Sequence, residues 1–239
     1  MIDARTRPEA PVALVTGASG TLGAAVATAF AARGARVLAA GNRRKPDFEP
    51  SIQLDLTRAE EAARLPKWIG ENGGSVDAVV HCVGAARDEI LPKMTNEAWS
   101  EVLDVNLRSA FLLLRALLPV LIRQRRGHVL LVSSWAGRTG RAGQANYAAA
   151  KAGLFGLTMA AAREVASRGV RVNCVVPGVF PSAMTGTLDA AARAHLWDGA
   201  AFSGDADPIE MAGFIVDLAE TRGITGQVFQ LDGRIPPSS

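Results

Sequence analysis

Tyr147 and Lys151 stand four residues apart in NYAAAKAGL, a spacing that puts both on one face of a helix. Tyr147 is the only tyrosine in the chain, so its phenol is not a generic packing choice. A phenol near its reference pKa of about 10 is a poor acid–base catalyst at neutral pH. An ammonium one helical turn away favours the phenolate and draws that pKa down, so the pair predicts proton transfer. Upstream, LLVSSWAG puts Ser133 or Ser134 at the end of a strand, where a hydroxyl can hold a reacting oxygen.

The segment VTGASGTLG reads as a strand end, a glycine turn and the start of an alanine-rich helix. Free backbone N–H groups and the helix dipole converge at such a junction and bind anions. Gly17, Gly20 and Gly23 let the backbone bend, approach a pyrophosphate and pack the helix on the sheet. At the first strand-to-helix junction of an alternating chain, this points to a dinucleotide. The second strand ends in LAAGNRRKP, where an NAD site wants a carboxylate for the ribose 2′-hydroxyl. Asn42, Arg43 and Arg44 stand there instead. Two guanidiniums favour a 2′-phosphate, and hence NADP(H), over a merely solvated loop. Asp55 in QLDLT ends the third strand, where a carboxylate can reach the adenine.

Positioning these groups requires a parallel sheet. Short apolar runs at 12–16, 36–40, 52–54, 78–82, 128–132, 171–176 and 227–231 read as strands. Segments of helical period at 22–33, 59–69, 96–123, 147–167 and 208–220 separate them. Alternation of this kind implies strand–helix–strand crossovers, and strands apolar throughout imply helices on both faces. The expectation is one α/β domain, a doubly wound Rossmann fold with a seven-stranded parallel sheet, over 11–234. Residues 1–10 are expected to be a flexible leader and 235–239 a loose tail. In NLRSAFLLLRALLPVLI, Phe111, Leu112, Leu113 and Leu114 are consecutive and point all round a helix. A thick core layer would account for that, and a subunit interface is the reading favoured.

The chain has 239 residues, 49% hydrophobic and 21% charged, which is ordinary globular usage. Its formal charge of +3 is too mild, and its arginines too scattered, for a nucleic-acid footprint. Cys82 and Cys174 sit in apolar runs as small buried hydrophobes, so no disulfide framework or metal cluster is expected. The start, MIDARTRPEAP, has no apolar core of a secretory signal. No apolar stretch approaches the roughly 18 residues of a bilayer span, so a soluble, cytoplasmic protein is expected.

These motifs together resemble the short-chain dehydrogenase/reductases over nearly the whole chain. A TG glycine turn, Asn106, a serine, Y-x-x-x-K and PG follow one another in the family's order. Serine thirteen before the tyrosine is the family spacing, which selects Ser134 over Ser133. The segments GQANYAAAKAGL and AREVASRGVRVN look particularly like 3-oxoacyl-(acyl carrier protein) reductases. The resemblance implies that Tyr147 donates a proton as hydride arrives from NADPH and that Ser134 holds the carbonyl oxygen. It also implies that Lys151 lowers the tyrosine pKa and contacts the nicotinamide ribose. Asn106, in LDVNL, would kink its helix and hold a proton-relaying water. A bound oxidised nicotinamide would further favour phenolate. The implied cofactor set is Gly17, Ser19, Gly20, Thr21, Leu22 and Gly23 at the turn, with Asn42, Arg43, Arg44, Asp55 and Leu56. Cys82, Gly84, Tyr147, Lys151, Pro177, Gly178, Val179 and Ser182 complete it.

Several positions depart from that pattern. The family's short branch places a glycine where Thr21 stands, so Gly20 is a shifted glycine. His81-Cys82-Val83-Gly84 replaces Asn-Asn-Ala-Gly, and Cys82 displaces an asparagine that braces the central strands. Arg234 stands where Gly-Gly is usual and is expected to alter a subunit contact. His81, His128 and His195 are each expected to be structural. Trp135 is as suited to lining a substrate pocket as to packing. A substrate lid is expected near 182–207, with Met184, Leu188, Leu196, Trp197 and Phe202, whose apolar side chains suit an acyl or ring substrate. Arg125, Arg126 and Arg168 match the region where carrier-protein reductases dock an acidic partner, or form a solvated basic face. The expected function is an NADPH-dependent ketone reductase acting on a 3-oxoacyl thioester, with acyl carrier protein as a partner, assembled as a homotetramer. A ketoreductase of free, polyketide or cyclic ketones, and a catalytically idle NADP-binding regulator, are the alternatives.

Overall fold

The computed structural model describes residues 10–183, 185–186, 200–202 and 204–235. Seven strands form one wholly parallel sheet: β1 (Val12–Thr16), β2 (Arg36–Gly41), β3 (Ser51–Gln53), β4 (Ala78–His81), β5 (Gly127–Val132), β6 (Val170–Pro177) and β7 (Val228–Leu231). Their order is β3-β2-β1-β4-β5-β6-β7. Chain direction across the sheet therefore reverses between β1 and β4, and a crevice opens beyond their carboxyl ends, the place where such sheets bind ligands.

Alternate residues of the strands feed two separate cores. Leu14, Leu38, Val79, Val129, Leu131 and Val172 pack on one face, while Ala13, Val15, Val37, Val80, Leu130 and Val175 pack on the other. The second face is covered by α1 (Thr21–Ala32) and by a C-terminal helix, α8 (Pro208–Glu220). Asp207 caps α8 by accepting from Ile209 N–H, and Pro208 starts it without spending a needed donor. On the first face lie α2 (Ala59–Ala62), α3 (Leu65–Gly73), α5 (Ser109–Gln124) and α7 (Ala145–Val165), while α4 (Asn96–Leu103) packs on α7 and sets Val102 against Tyr147. A one-turn α6 (Ala136–Thr139) follows β5.

Most expected elements are present within a residue or two. The helix expected over 59–69 is broken in two, because a proline in the first turn of α3 forces a fresh start. The helix expected over 96–123 is continuous from 96 to 124 but carries a π turn, Asp104–Arg108, at its centre. Of its four consecutive apolar residues, Leu112, Leu113 and Leu114 are buried within the chain and Phe111 is 44% exposed. The expectation that no apolar stretch approaches a bilayer span is corrected here: by length and composition this helix is long and apolar enough, and 44% of its apolar window is buried in the fold. The expected leader, lid and tail fall largely on residues outside those described, as do Met184, Leu188, His195, Leu196 and Trp197.

Two histidines are fully buried in the sheet. His128 Nδ1 lies 3.2 Å from the Ala219 carbonyl, and Asn173 Nδ2 lies 2.7 Å from its Nε2. Burial pushes His128 down to about 4 and His81 to about 3. Both are then neutral in the fold but protonated in the unfolded chain below their ordinary value of 6.5. The unfolded state binds the more protons there, so stability is lost as pH falls from about 6.5 towards 4. Each imidazole is expected to contribute up to about 1.4 kcal/mol per pH unit in that interval. Urea midpoints at pH 7 and pH 5 check this, and His128→Gln is expected to flatten the difference.

Candidate active site

At the first strand-to-helix junction, Gly17 has a left-handed φ of 72°, and a Cβ there would stand 2.9 Å from the Cys82 backbone. Only glycine lets this turn lie against the strip that follows β4. Gly23 packs directly on the Gly17 carbonyl, where any side chain would collide. Gly20 is less constrained by its protein neighbours. Its φ of −92° is open to any residue, and a Cβ would meet only the Gly17 carbonyl at 3.3 Å. The shifted glycine is therefore not required by the chain's own backbone. Thr21, Leu22 and Gly23 open α1, whose first-turn N–H groups have no side-chain cap and no acidic neighbour. An anion fits there. Arg44 reaches the same turn from the end of β2, its Nη2 donating to the Ser19 carbonyl at 2.6 Å. Arg43 is exposed beside it, and the Asn42 carbonyl is held by Gln53 Nε2 at 2.6 Å. Asp55 spends Oδ1 on the N–H and hydroxyl of Thr57, at 3.0 and 2.7 Å, and Leu56 is buried behind it. The groove thus offers donors, cations and close backbone approach along one line, which fits a phosphorylated dinucleotide.

Beyond β4 and β5 lie the groups that can move protons. Tyr147 and Lys151 occupy successive turns of α7 and are both buried, with Lys151 Nζ 5.7 Å from the phenol ring centre. Ser134, just past β5, hydrogen-bonds the phenol. Its Oγ also accepts from Ala136 N–H at 3.3 Å. Ser133 is committed elsewhere, donating to the Lys151 carbonyl at 2.7 Å. Lys151 Nζ donates to the Val132 and Val83 carbonyls at 3.0 and 3.3 Å. Gly84 faces both Lys151 and Asn106, since a Cβ on it would lie 3.3 Å from Nζ and 3.2 Å from Asn106 Oδ1. Asn106 sits in the π turn, fully buried, its Nδ2 donating to the Ala85 and Val102 carbonyls at 2.7 and 2.8 Å. Its Oδ1 accepts from Ala85 N–H at 3.3 Å.

The electrostatics overturn one expectation. The phenol is held above its ordinary range, not below it, because burial and then the charge of Asp88 outweigh the Ser134 hydrogen bond. Lys151 is itself drawn down to about 8 by burial. Its ammonium is spent on two carbonyls rather than on the phenol oxygen. Burial likewise pushes both thiols, Cys82 and Cys174, up to about 12, and both are free.

A model of the short chain dehydrogenase family matches residues 11–193. The chain belongs to that family. It is 39% identical over 236 residues to the 3-oxoacyl-[acyl-carrier-protein] reductase FabG of Vibrio cholerae, covering 94% of this chain and 97% of that protein. The FabG reductases of Escherichia coli and Thermotoga maritima are 36% and 34% identical over 236 and 242 residues. Those matches cover 94% and 95% of this chain, and 97% and 98% of the respective relatives.

Set in this family, the remaining predicted positions sort themselves. Pro177 ends β6, and the Gly178 N–H bonds the Leu231 carbonyl at 3.1 Å. The Val179 carbonyl receives Ala206 N–H at 2.6 Å. Ser182 and Thr185 exchange hydroxyl and backbone bonds, the Ser182 N–H reaching Thr185 Oγ1 at 2.9 Å. Arg234 turns inward rather than into solvent. Its guanidinium is buried against Asp232, with Nε to Oδ2 at 2.6 Å, and stacks 4.9 Å over the Trp135 ring. A cavity of about 220 Å³ lies beside it, between Val179, Phe202, Ala206 and Asp232.

Sequence reasoning missed Asn146. Fully buried, it holds the start of α7 by donating to the Arg87 and Ala98 carbonyls and accepting Tyr147 N–H at 2.8 Å. An amide immediately before the only tyrosine was the available signal. It also missed Asp88, fixed by Gln144 Nε2 at 2.9 Å, for which no local motif exists. Gly84→Ala is expected to push Lys151 and Asn106 apart and lower turnover at least about tenfold, since displacements of about 1 Å cost up to a hundredfold. Circular dichroism should remain native; unchanged turnover would contradict the packing described.

Proposed function

We propose that this chain is an NADP(H)-dependent ketone reductase, with a 3-oxoacyl thioester on acyl carrier protein as its substrate. The observation that carries it is the buried Ser134–Tyr147–Lys151 cluster on the carboxyl rim, beside a phosphate turn with arginines and no carboxylate at the end of β2. The names of the FabG relatives, which cover nearly the whole chain, support the substrate class. When bound, NADPH supplies a hydride to the substrate carbonyl carbon.

The chain's own residues do the rest. Ser134 donates a hydrogen bond to the carbonyl oxygen and fixes it beside the phenol. Tyr147 gives that oxygen its proton. A pKa above the ordinary phenol value keeps the donor protonated at neutral pH, the right starting state for reduction. The phenolate left behind is stabilised at a distance by the Lys151 ammonium, whose Nζ lies 5.7 Å from the ring centre. The proton that restores the phenol comes from that ammonium, and Asn106 holds the turn through which the lysine is then reprotonated. Gly17 to Gly23 and Arg44 receive the phosphates, with Arg43 and Arg44 selecting the 2′-phosphate. Pro177, Gly178, Val179 and Ser182 line the nicotinamide side, and Trp135 lines the substrate.

Arg125, Arg126 and Arg168 are exposed, and the pairing of Gly127 with Val170 sets them side by side. They flank the amino ends of β5 and β6, about 20 Å, the length of a six-residue strand, from Ser134. A carrier docked there serves a neighbouring subunit of a homotetramer. Exposed Trp99, Phe111 and Met159 on α4, α5 and α7 support that assembly. A cytoplasmic location belongs to the same proposal. A cyclic or free ketone is the second reading, favoured by the flat Trp135 face that Arg234 backs.

NADPH oxidation assayed with acetoacetyl thioesters and with cyclic diketones tests both substrates, and turnover of neither leaves only a cofactor-binding role. Tyr147→Phe is expected to lower kcat by about 10²–10⁴-fold with NADPH affinity kept. Arg44→Ala is expected to weaken NADPH about 10- to 100-fold, the worth of one charge-assisted bond, and NADH hardly at all. Lys151 loses its charge above about 8, so reduction should be level from pH 6 to 7.5 and decline beyond 8.

A further inference from the structure

His81 ends β4 one residue before the strip that supports the proton-moving cluster, and its side chain is fully buried. Both ring nitrogens are used. Nδ1 lies 2.7 Å from Thr16 Oγ1 at the end of β1, and Nε2 lies 3.1 Å from Ser109 Oγ at the start of α5. The Ser109 hydroxyl itself donates to the Val105 carbonyl at 2.5 Å, which leaves Oγ only an acceptor towards the imidazole. The proton therefore sits on Nε2, and Nδ1 accepts from Thr16. One directed chain, Thr16 to His81 to Ser109 to Val105, ties β1 and β4 to the π turn.

The far end of that chain is where the turn is made. The Ser109 N–H reaches back to the Asp104 carbonyl, the five-residue step that defines the turn, and its hydroxyl takes the next carbonyl, Val105. Asn106 follows immediately. From the other side, the strip leaving His81 supplies the Val83 carbonyl to Lys151 and both backbone groups of Ala85 to Asn106. His81 thus stands at the junction of the two segments that between them hold Asn106 and Lys151. A helix interrupted by a π turn has a register that its own ladder leaves loose, and a side chain bonded to the turn-closing residue fixes it.

We propose that His81 is a positioning residue of the reductase: its Nε2–H, acting through Ser109, sets the register of the Asn106 turn against the strip that carries Lys151. It rests on Tyr147, Lys151 and Asn106 being the proton path assigned above. It touches neither substrate nor cofactor. Holding the turn requires the Nε2 position in particular, whereas bracing β1 against β4 requires only Nδ1.

Glutamine can mimic Nε2 and asparagine Nδ1, so the two replacements separate the roles. His81→Asn is expected to lower kcat about tenfold or more, with KM for NADPH within about twofold. His81→Gln is expected to recover most of that loss. Ser109→Ala should match His81→Asn, and the double variant Ser109→Ala/His81→Asn should cost no more than either alone. Equal rescue by asparagine, additive losses, or a kcat loss that only tracks the unfolded fraction in urea would overturn the proposal. A readout free of turnover is the side-chain amide of Asn106 by NMR. Its protons should exchange faster in Ser109→Ala than in the parent, and unchanged exchange also overturns the role. If the parent protein reduced no ketone, the function assigned above would fail while this readout still decided the place of His81.

Discussion

Lys151 brings an ammonium into a site from which water is nearly excluded, being 2% exposed, with no carboxylate paired to it among the described residues. Isolated buried charges are costly, and the fold answers this one with two carbonyls, from the ends of β5 and of the strip after β4. Those carbonyls are free to turn inward because parallel strands finish there and their ladders stop. The demand of one cation therefore fixes where β4 and β5 must end, why residue 84 carries no side chain, and which face of α7 meets the sheet. Burial weakens the charge as well as placing it, so the ammonium sits near its own titration point rather than far from it.

The rest of the cleft follows from strand order. Reversal between β1 and β4 leaves a gap at their carboxyl ends that neither crossover helix fills. Gly17 can lie on the Cys82 backbone only at that gap, and the N-terminus of α1 then opens into it. On the opposite side, the helix from 96 to 124 is interrupted by its π turn, and the stretch after it covers the sheet while Val102 before it packs on Tyr147. Packing and chemistry share a single helix because one extra residue was inserted in one of its turns.

Period and punctuation made most of this legible beforehand. Seven apolar strand runs, the glycine turn and the four-residue spacing of Tyr147 and Lys151 are local signals, and each element lies where they put it. The helix over 59–69 was misjudged because Pro66 was not weighed as a restart. The direction of the Tyr147 shift was misjudged for a different reason: helical spacing locates an ammonium but says nothing of what else it bonds to. Only the tertiary structure reveals that Val83 and Val132 take it. Asp88 escaped for a like cause, since it lies 59 positions before Tyr147 and Gln144 ties it to the start of α7 across 56 residues, whereas Asn146 stood beside the tyrosine and went unweighed. At Gly20 neither φ nor neighbouring protein atoms demand a glycine, so its place in the motif speaks only to what approaches the turn from outside.

Arg234 leads to a last consequence. It lies three residues beyond the last strand, yet its side chain backs Trp135 and its backbone pairs with Ala200. Asp232 and Arg234 are thus part of the wall beside Ser134, although neither belongs to α7 or to the glycine turn. Exchanging Asp232 or Arg234 would therefore reshape the surroundings of Trp135 while Tyr147 and Lys151 stay where they are.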